Sequence, residues 1–259
     1  MNSEILPWLS PRLSQSMRFV LAGIGHPQRF ARGEVIYSAP GFFGTLMYVR
    51  SGFVVKALLD PVRDEPLLLS LAGAGALCGS YENLYVRDRM PRRHWCLTTT
   101  EVLIVNQELL LKIADENYEW QRELAGYSSA SALCDRLGMY LNYSGSVEER
   151  FGTLLLLMLQ GENPTVTSNL VAQGIEWIEL SFFPDKLTIA RLLGCKFEMI
   201  NEVIRKWVKD DVIRRRGHKI WFRRKVFINY WNWFLPFIEK SRLLSGITAL
   251  KVQQVFEIP

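Results

Sequence analysis

The sequence predicts an α+β fold: a strand-rich amino-terminal half, one long helix, and a carboxyl-terminal helix-turn-helix with a β-hairpin wing. Three features predict it. Short apolar runs rich in β-branched residues, separated by glycines, fill residues 30–105, as in a sandwich or roll. A helical pattern then runs from Asn117 to about residue 143, longer than a compact domain needs. Positive charge concentrates in residues 186–225, where 13 basic residues stand against 4 acids. That segment carries +9 and the remainder −4, although the whole chain of 259 residues carries only +5.

Strands are predicted at 35–37, 46–49, 53–58, 67–71 and 101–105, with Gly33, Gly41, Gly44, Gly52, Gly73, Gly75 and Gly79 as turn residues. A short helix follows at 107–114. In the long helix, Trp120, Leu124, Tyr127, Ser131, Cys134 and Leu141 fall near the 4-3 spacing of a coiled-coil seam, with Leu137 and Gly138 sharing the remaining position. Self-pairing is one explanation of that spacing, and packing on the chain's own sheet is the other. Gly145 ends the helix, residues 148–160 form the next, 161–168 read as a polar loop and 175–182 as a strand.

Several classes are excluded early. The longest apolar run, Leu154-Leu155-Leu156-Leu157-Met158-Leu159, is far short of the ~20 residues of a membrane span. The first residues lack a secretory pattern, so a cytoplasmic protein is expected. Four cysteines at 78, 96, 134 and 195 form no CxxC pair, which argues against a disulfide framework or a zinc site. The histidines at 26, 94 and 218 are dispersed, and no Gly-x-Ser-x-Gly elbow, P-loop or Rossmann fingerprint occurs. The chain reads as a non-enzyme with no metal and no cofactor.

The carboxyl-terminal motif starts at Pro184, taken as the first helical turn. Leu187, Ala190 and Leu193 recur at helical spacing, and Gly194 closes the turn. A second helix at 196–209 has Ile200, Val203, Ile204 and Trp207 on one face and Lys196, Phe197, Asn201, Arg205 and Lys209 on the other. Val212-Ile213, a basic turn Arg214-Arg215-Arg216-Gly217-His218 and residues 219–222 form the wing. A helix-turn-helix with a wing inside a +9 segment suits binding to double-stranded DNA. A solvated basic face is the plainer reading of the charge alone.

With these residues in view, the chain resembles the Crp/Fnr superfamily of bacterial transcription regulators. The resemblance covers about residues 20–225. It rests on Ile-Ala-Arg-Leu-Leu-Gly-Cys-Lys-Phe-Glu-Met-Ile-Asn-Glu-Val-Ile-Arg-Lys-Trp from Ile189, on Arg32-Gly33-Glu34-Val35-Ile36, on the glycines 41, 52 and 79, and on Thr98 with Glu101-Val102. It implies a cupin-like β-roll sensor at 1–116, a dimerisation helix at 117–145 and a winged helix-turn-helix at 146–225, with 226–259 an aromatic-rich extension. It also implies a homodimer that enters the major groove at a palindromic operator, with RNA polymerase a further candidate partner.

Departures from the family pattern shape the site. Phe197 and Glu202 stand where members often have arginine, while Glu198 is kept. Glu198, Asn201, Glu202 and Lys196 then become the candidate base readers, and Arg191, Arg205, Arg214, Arg215 and Arg216 the candidate phosphate contacts. Gly79 is followed by Ser80 and not Glu, and 89–95 reads Arg-Met-Pro-Arg-Arg-His-Trp. The cassette that binds a cyclic nucleotide is therefore missing, which argues against cyclic AMP and is similar to a branch that responds to chlorinated aromatic acids. The effector is expected to be an aromatic or organic anion held by Tyr81, Tyr85, Arg92, Arg93, His94 and Trp95 under Tyr127 and Ser131 of the long helix. Core aromatics with solvated arginines are the alternative reading. The extension packs six aromatics into residues 227–238 and is expected to fold back on the winged helix or a dimer partner, its asparagines and Pro236 arguing against a membrane anchor. The competing function is a sensor or interaction module that no longer binds DNA.

Overall fold

Glycine-punctuated apolar runs fold, in the computed structural model, into two facing antiparallel sheets; the structure describes residues 5–39, 45–60, 62, 65–84, 90–162, 176–216 and 219–245. The first sheet has the order β1-β8-β3-β6, with β1 at His26–Phe30, β3 at Thr45–Ser51, β6 at Leu77–Gly79 and β8 at Thr100–Asn106. The second has the order β2-β7-β4-β5, with β2 at Val35–Ala39, β4 at Val54–Leu59, β5 at Pro66–Ala72 and β7 at Arg92–Cys96. Phe30, Met47, Val49, Val54, Cys78, Cys96 and Val102 fill the space between them. The five predicted strands are present as β2, β3, β4, β5 and β8.

Three strands and a helix escape the sequence reading. β1 is polar, contains Pro27 and is exposed over its first four residues, which an edge strand tolerates. β6 has only three residues. β7 alternates, but its buried positions are Arg92, His94 and Cys96, so charge masks the period. Helix α1 (Gln15–Ile24) starts at Ser14, whose hydroxyl accepts from the Met17 amide and donates to Glu123 Oε2 at 2.6 Å.

Helix α2 spans Gln107–Asp115, capped by Asn106, and the long helix α3 spans Tyr118–Ser144. The chain divides into two compact units, residues 1–138 and 139–259, so the boundary falls inside α3. Here one expectation is corrected. Leu124, Tyr127, Ser131, Cys134 and Leu141, expected in a self-pairing seam, are all buried within their own chain. Leu124 and Tyr127 pack with Met17, Leu21, Leu77, Tyr81 and Leu103. A 4-3 spacing describes one face of a helix and does not name what covers it. The opposite face, with Arg122, Ala125, Ser129, Ala132, Arg136, Met139 and Tyr143, is exposed.

In the second unit, α4 (Val147–Glu162) precedes a three-stranded sheet of order β10-β11-β9, with β9 at Trp177–Leu180, β10 at Ile213–Arg216 and β11 at Lys219–Arg223. Helices α5 (Lys186–Leu192) and α6 (Phe197–Lys209) lie between β9 and β10, and α7 (Arg224–Ser245) follows β11 directly. The basic run 214–216 therefore sits in strand β10 and not in the turn. The turn residues 217–218, the loop residues 163–168 and the strand start at 175 lie outside the described residues. Pro184 precedes the N-cap Asp185 and so lies outside the first helical turn, its expected place.

Segment 5–13 runs along the edge of β5. Ser10 donates its amide to Leu71 O, Leu71 donates to Trp8 O, and Leu13 donates to Gly75 O. Trp8 is 1% exposed and lies against Gly138, where a Cβ would stand 2.6 Å from Trp8 Cδ1 and 3.1 Å from the Trp8 amide nitrogen. Gly138→Ala gains ~0.5–1 kcal/mol of helix propensity but collides with backbone as well as ring, an overpacking that costs ~1–3 kcal/mol. The variant is expected to be less stable in urea denaturation; a more stable one would mean that segment 5–13 does not bear on α3.

Candidate nucleic-acid interface and sensor cluster

The helix-turn-helix is built by its caps. Asp185 accepts from the Thr188 amide and hydroxyl at 2.9 and 2.7 Å, starting α5. At its end Gly194 adopts φ +59°, and the Cys195 amide donates to Ala190 O, a left-handed closure that suits glycine. Buried Arg150 of α4 locks the turn: its Nη1 donates to Leu193 O at 2.5 Å and Asn142 O at 2.7 Å. Asn142 Nδ2 donates to Leu192 O at 3.1 Å. Neither Arg150 nor Asn142 stood out in the sequence, because nothing local links them to the motif.

Helix α6 buries Ile200 and Trp207 and half-buries Val203 and Ile204. The ring of Trp207 stacks on Phe151 at 5.0 Å and 8° and meets Phe222 edge-on. Its Nε1 donates to Glu148 Oε1 at 2.9 Å, while Lys206 Nζ donates to Glu148 Oε2 at 2.6 Å. The outward face brings together Lys196, Phe197, Glu198, Glu202 and Arg205, all exposed. Asn201 is half-buried and its Oδ1 accepts from Lys186 Nζ at 2.5 Å. Arg191 is exposed in the last turn of α5.

The wing arginines differ among themselves. Arg214 Nε and Nη2 each donate to the Asp211 carboxylate at 2.9 Å, and its guanidinium lies 3.9 Å over the Trp177 ring. Arg223 also pairs with Asp211. Hydrogen bonds from Arg214 and Arg223 hold the Asp211 carboxyl below its ordinary range. Arg215 is exposed, and Arg216 ends β10 opposite Lys219.

In the first unit the expected effector residues separate. Tyr81, Tyr127 and Ser131 meet, around a residue the sequence reading did not single out, Lys56 of β4. Lys56 Nζ is buried, donates to Ser131 Oγ at 2.9 Å and Ser10 Oγ at 3.4 Å, lies 3.5 Å from Asp135 Oδ2 and 5.1 Å from the Tyr81 ring centroid. Tyr81 and Ser131 share a 2.8 Å hydrogen bond, and the Tyr127 hydroxyl accepts from the Leu77 amide at 2.7 Å. A lone lysine inside Val54-Val55-Lys56-Ala57 was the available signal, since buried charge is retained only when partnered.

On β7, Arg92 and His94 point inward while Arg93 and Trp95 fall on the other face; Tyr85 lies outside the described residues. His94 Nδ1 accepts from the Gly79 amide at 3.1 Å and its ring packs 4.9 Å from Tyr37. Burial, then the charges of Lys56 and Arg92, hold its pKa well below the ordinary value. A cavity of about 400 Å³ opens elsewhere in the roll, lined by Phe30, Ile36, Tyr37, Met47 and Ile104 among others, and includes none of the expected effector residues.

Among the described residues no group of three or more His, Cys, Asp or Glu is arranged to hold a metal, and no helix is long and apolar enough to cross a membrane. Burial pushes the Cys78, Cys96 and Cys134 thiols up, away from the thiolate a nucleophile needs.

Comparison with solved structures identifies the architecture. FixK2 from Bradyrhizobium japonicum matches at a TM-score of 0.62 with 16% identity, over 81% of this chain and 96% of that one. A CRP-family transcriptional regulator from Thermus thermophilus matches at 0.60 and 16%, over 79% and 95%. The c-di-GMP-responsive global regulator CLP from Xanthomonas campestris matches at 0.55 and 20%, over 80% and 97%. No family model matches the sequence, and no curated protein matches it. At these identities the likeness establishes the fold.

The buried neutral His94 takes up no proton where the unfolded chain does, below its ordinary pKa of about 6.5. Its contribution is thus present above that pH and lost as pH falls towards the depressed folded value, with a slope of at most ~1.4 kcal/mol per pH unit. Thermal unfolding from pH 7.5 to 5 should show this decline and His94→Gln should flatten it; an unchanged slope would refute the assignment. In the wing, Asp211→Asn keeps a residue tolerant of φ +51° but removes the carboxylate that holds Arg214 and loosens Arg223, which keeps Glu176 at 3.7 Å. Affinity for random-sequence duplex should rise about threefold to tenfold, with a steeper salt dependence. Equal affinities would remove both arginines from the backbone contact.

Proposed function

From the fold it shares with the Crp/Fnr regulators, we propose that this protein is a homodimeric DNA-binding transcription regulator whose β-roll senses a small molecule. The observation that carries the reading is the α5–α6 helix pair. Its second helix buries Ile200 and Trp207 and exposes Lys196, Glu198, Glu202 and Arg205 on one face, beside the exposed Arg191 and Arg215. Such a face fits the major groove, with arginines on phosphates and the glutamates accepting from cytosine N4. Asn201, held by Lys186 through Oδ1, reads adenine only on exchanging that partner. The same pair favours base contacts over a merely solvated face, because Phe197 and Met199 are exposed among the charges.

The roll's polar cluster suits an anionic ligand. A carboxylate or phenolate entering between Tyr81 and Ser131 would compete with Asp135 and Ser10 for the Lys56 ammonium. Homodimerisation is assigned to the exposed face of α3, where Arg122, Ala125, Ser129, Ala132, Arg136, Met139 and Tyr143 follow strict 3-4 spacing, with Leu133 alongside. Small residues in its middle allow close helix approach.

The test combines assembly and binding. Wild type is expected to be a dimer by light scattering and to bind random-sequence duplex with a steep salt dependence. Ala132→Arg with Met139→Arg should yield folded monomers with duplex affinity reduced at least tenfold, since one half-site contact is weak alone. Salt-independent binding, or none, would favour the sensor or interaction module. A double variant that stays dimeric would move the interface off α3.

A further inference from the structure

Helix α7 begins at Arg224, directly after the wing strand β11, and its aromatic residues pack on three elements of the second unit. Tyr230 lies on Gly152 of α4, where a Cβ would run into its ring. Trp233 lies on Gly145, between α3 and α4, where a Cβ would come within 2.5 Å. Phe237 meets Tyr140 of α3 edge-on at 6.1 Å and Trp233 at 5.3 Å. Two glycines thus make room for two rings. That room has a specific consequence at Glu148.

The Glu148 Oε1 atom accepts from the Tyr230 hydroxyl at 3.2 Å and from Trp207 Nε1 at 2.9 Å. The Tyr230 and Trp207 rings lie 5.7 Å apart. One carboxylate oxygen therefore joins α4, the recognition helix α6 and the carboxyl-terminal helix α7, while the other holds Lys206 of α6. Burial, and the adjacent Glu148 charge, push the Tyr230 hydroxyl well above its ordinary range, so it remains a donor. On the far side, Arg150 ties the last turn of α3 to the end of α5 through Asn142 O and Leu193 O.

We propose that α7 is a splint that fastens the last turn of α3, α4 and the recognition helix into one body, with Tyr230 a positioning residue acting on α6 through Glu148 and Trp207. The winged helix is then incomplete at β11: without α7, the surface of α4 at Gly152 that receives Tyr230 is open and Trp207 loses one of its ring neighbours. Movement of the end of α3 is carried to α6 by a rigid unit and not by a loose turn. The operator-binding arm of the test rests on the DNA-binding reading; the exchange arm does not.

The experiment uses the full chain with Tyr230→Phe, which keeps the ring on Gly152 and deletes only the hydroxyl, and with Glu148→Gln and Glu148→Ala. Amide hydrogen exchange of α6 should accelerate about threefold to tenfold in Tyr230→Phe and more in Glu148→Ala, with the roll unchanged. Glu148→Gln, whose amide oxygen still accepts from both rings, should lie nearer to wild type. Affinity for a palindrome selected from a random pool should fall about threefold to tenfold in Tyr230→Phe while affinity for random duplex changes less than twofold, because charge is untouched. Unchanged α6 exchange in both Tyr230→Phe and Glu148→Ala would overturn the splint. So would a uniform rise that includes β10 and β11, or an equal loss on both duplexes, since these mark a helix that only covers apolar surface. Loosened α6 with no enriched palindrome would uphold the splint and refute the DNA-binding reading.

Discussion

Along the first unit's part of α3, Leu124, Tyr127, Ser131 and Cys134 turn inward on the chain's own core. A helix has room for two broad faces, and once one is occupied the other is what remains for a partner. The composition of the remaining face then acquires meaning. Ala125, Ser129 and Ala132 are small, and Leu133, Met139 and Tyr143 are apolar and exposed. The same burial brings Ser131 and Asp135 to the Lys56 ammonium. Both the face proposed for dimerisation and the polar cluster around Lys56 are therefore consequences of how one helix is rotated about its axis.

Lys56 is the most consequential polar residue of the roll. A buried ammonium is costly unless hydrogen bonds and counter-charge surround it, and here two serine hydroxyls, a carboxylate and a tyrosine ring do so. Its charge, together with that of Arg92, helps keep His94 neutral, which fixes that ring as the acceptor for the Gly79 amide. Gly79 itself needs φ +87° and has no room for a Cβ, with Thr45 O only 2.8 Å from the position. Gly79 and His94, beside and within the stretch expected to line an effector pocket, are thus held to each other by a polar bond.

The second unit has a comparable centre in Glu148 and Arg150, two residues apart on α4. Glu148 binds Lys206, Trp207 and Tyr230, and Arg150 binds backbone carbonyls at the end of α3 and the end of α5. Charge-assisted hydrogen bonds to partly buried groups are among the stronger local terms. One short stretch of α4 therefore orients both helices of the helix-turn-helix. The aromatic rings of Phe151, Trp207 and Phe222 pack α4, α6 and β11 together.

How much was legible in the sequence follows from the range of each signal. Local periodicity and capping determined β2, β3, β4, β5, β8, the long helix, the helix-turn-helix and the hairpin, and the charge concentrated in residues 186–225 marked the basic face. Those properties depend on residues within a few positions of each other, so one chain read in order contains them. Strand β7 was hidden because its inward positions are Arg92 and His94, and a charged residue reads as exposed until its partner is known. Lys56 with Asp135, Glu148 with Tyr230, and Arg150 with Leu193 join positions 43 to 82 residues apart, and no periodicity reports such a pairing. Tertiary structure alone decided which face of α3 is covered, that Arg214 is tied to Asp211, and that the aromatic extension, as far as Ser245, is a helix on α4. In each case the deciding term is burial against a distant element, a property of the folded chain and not of any segment of it.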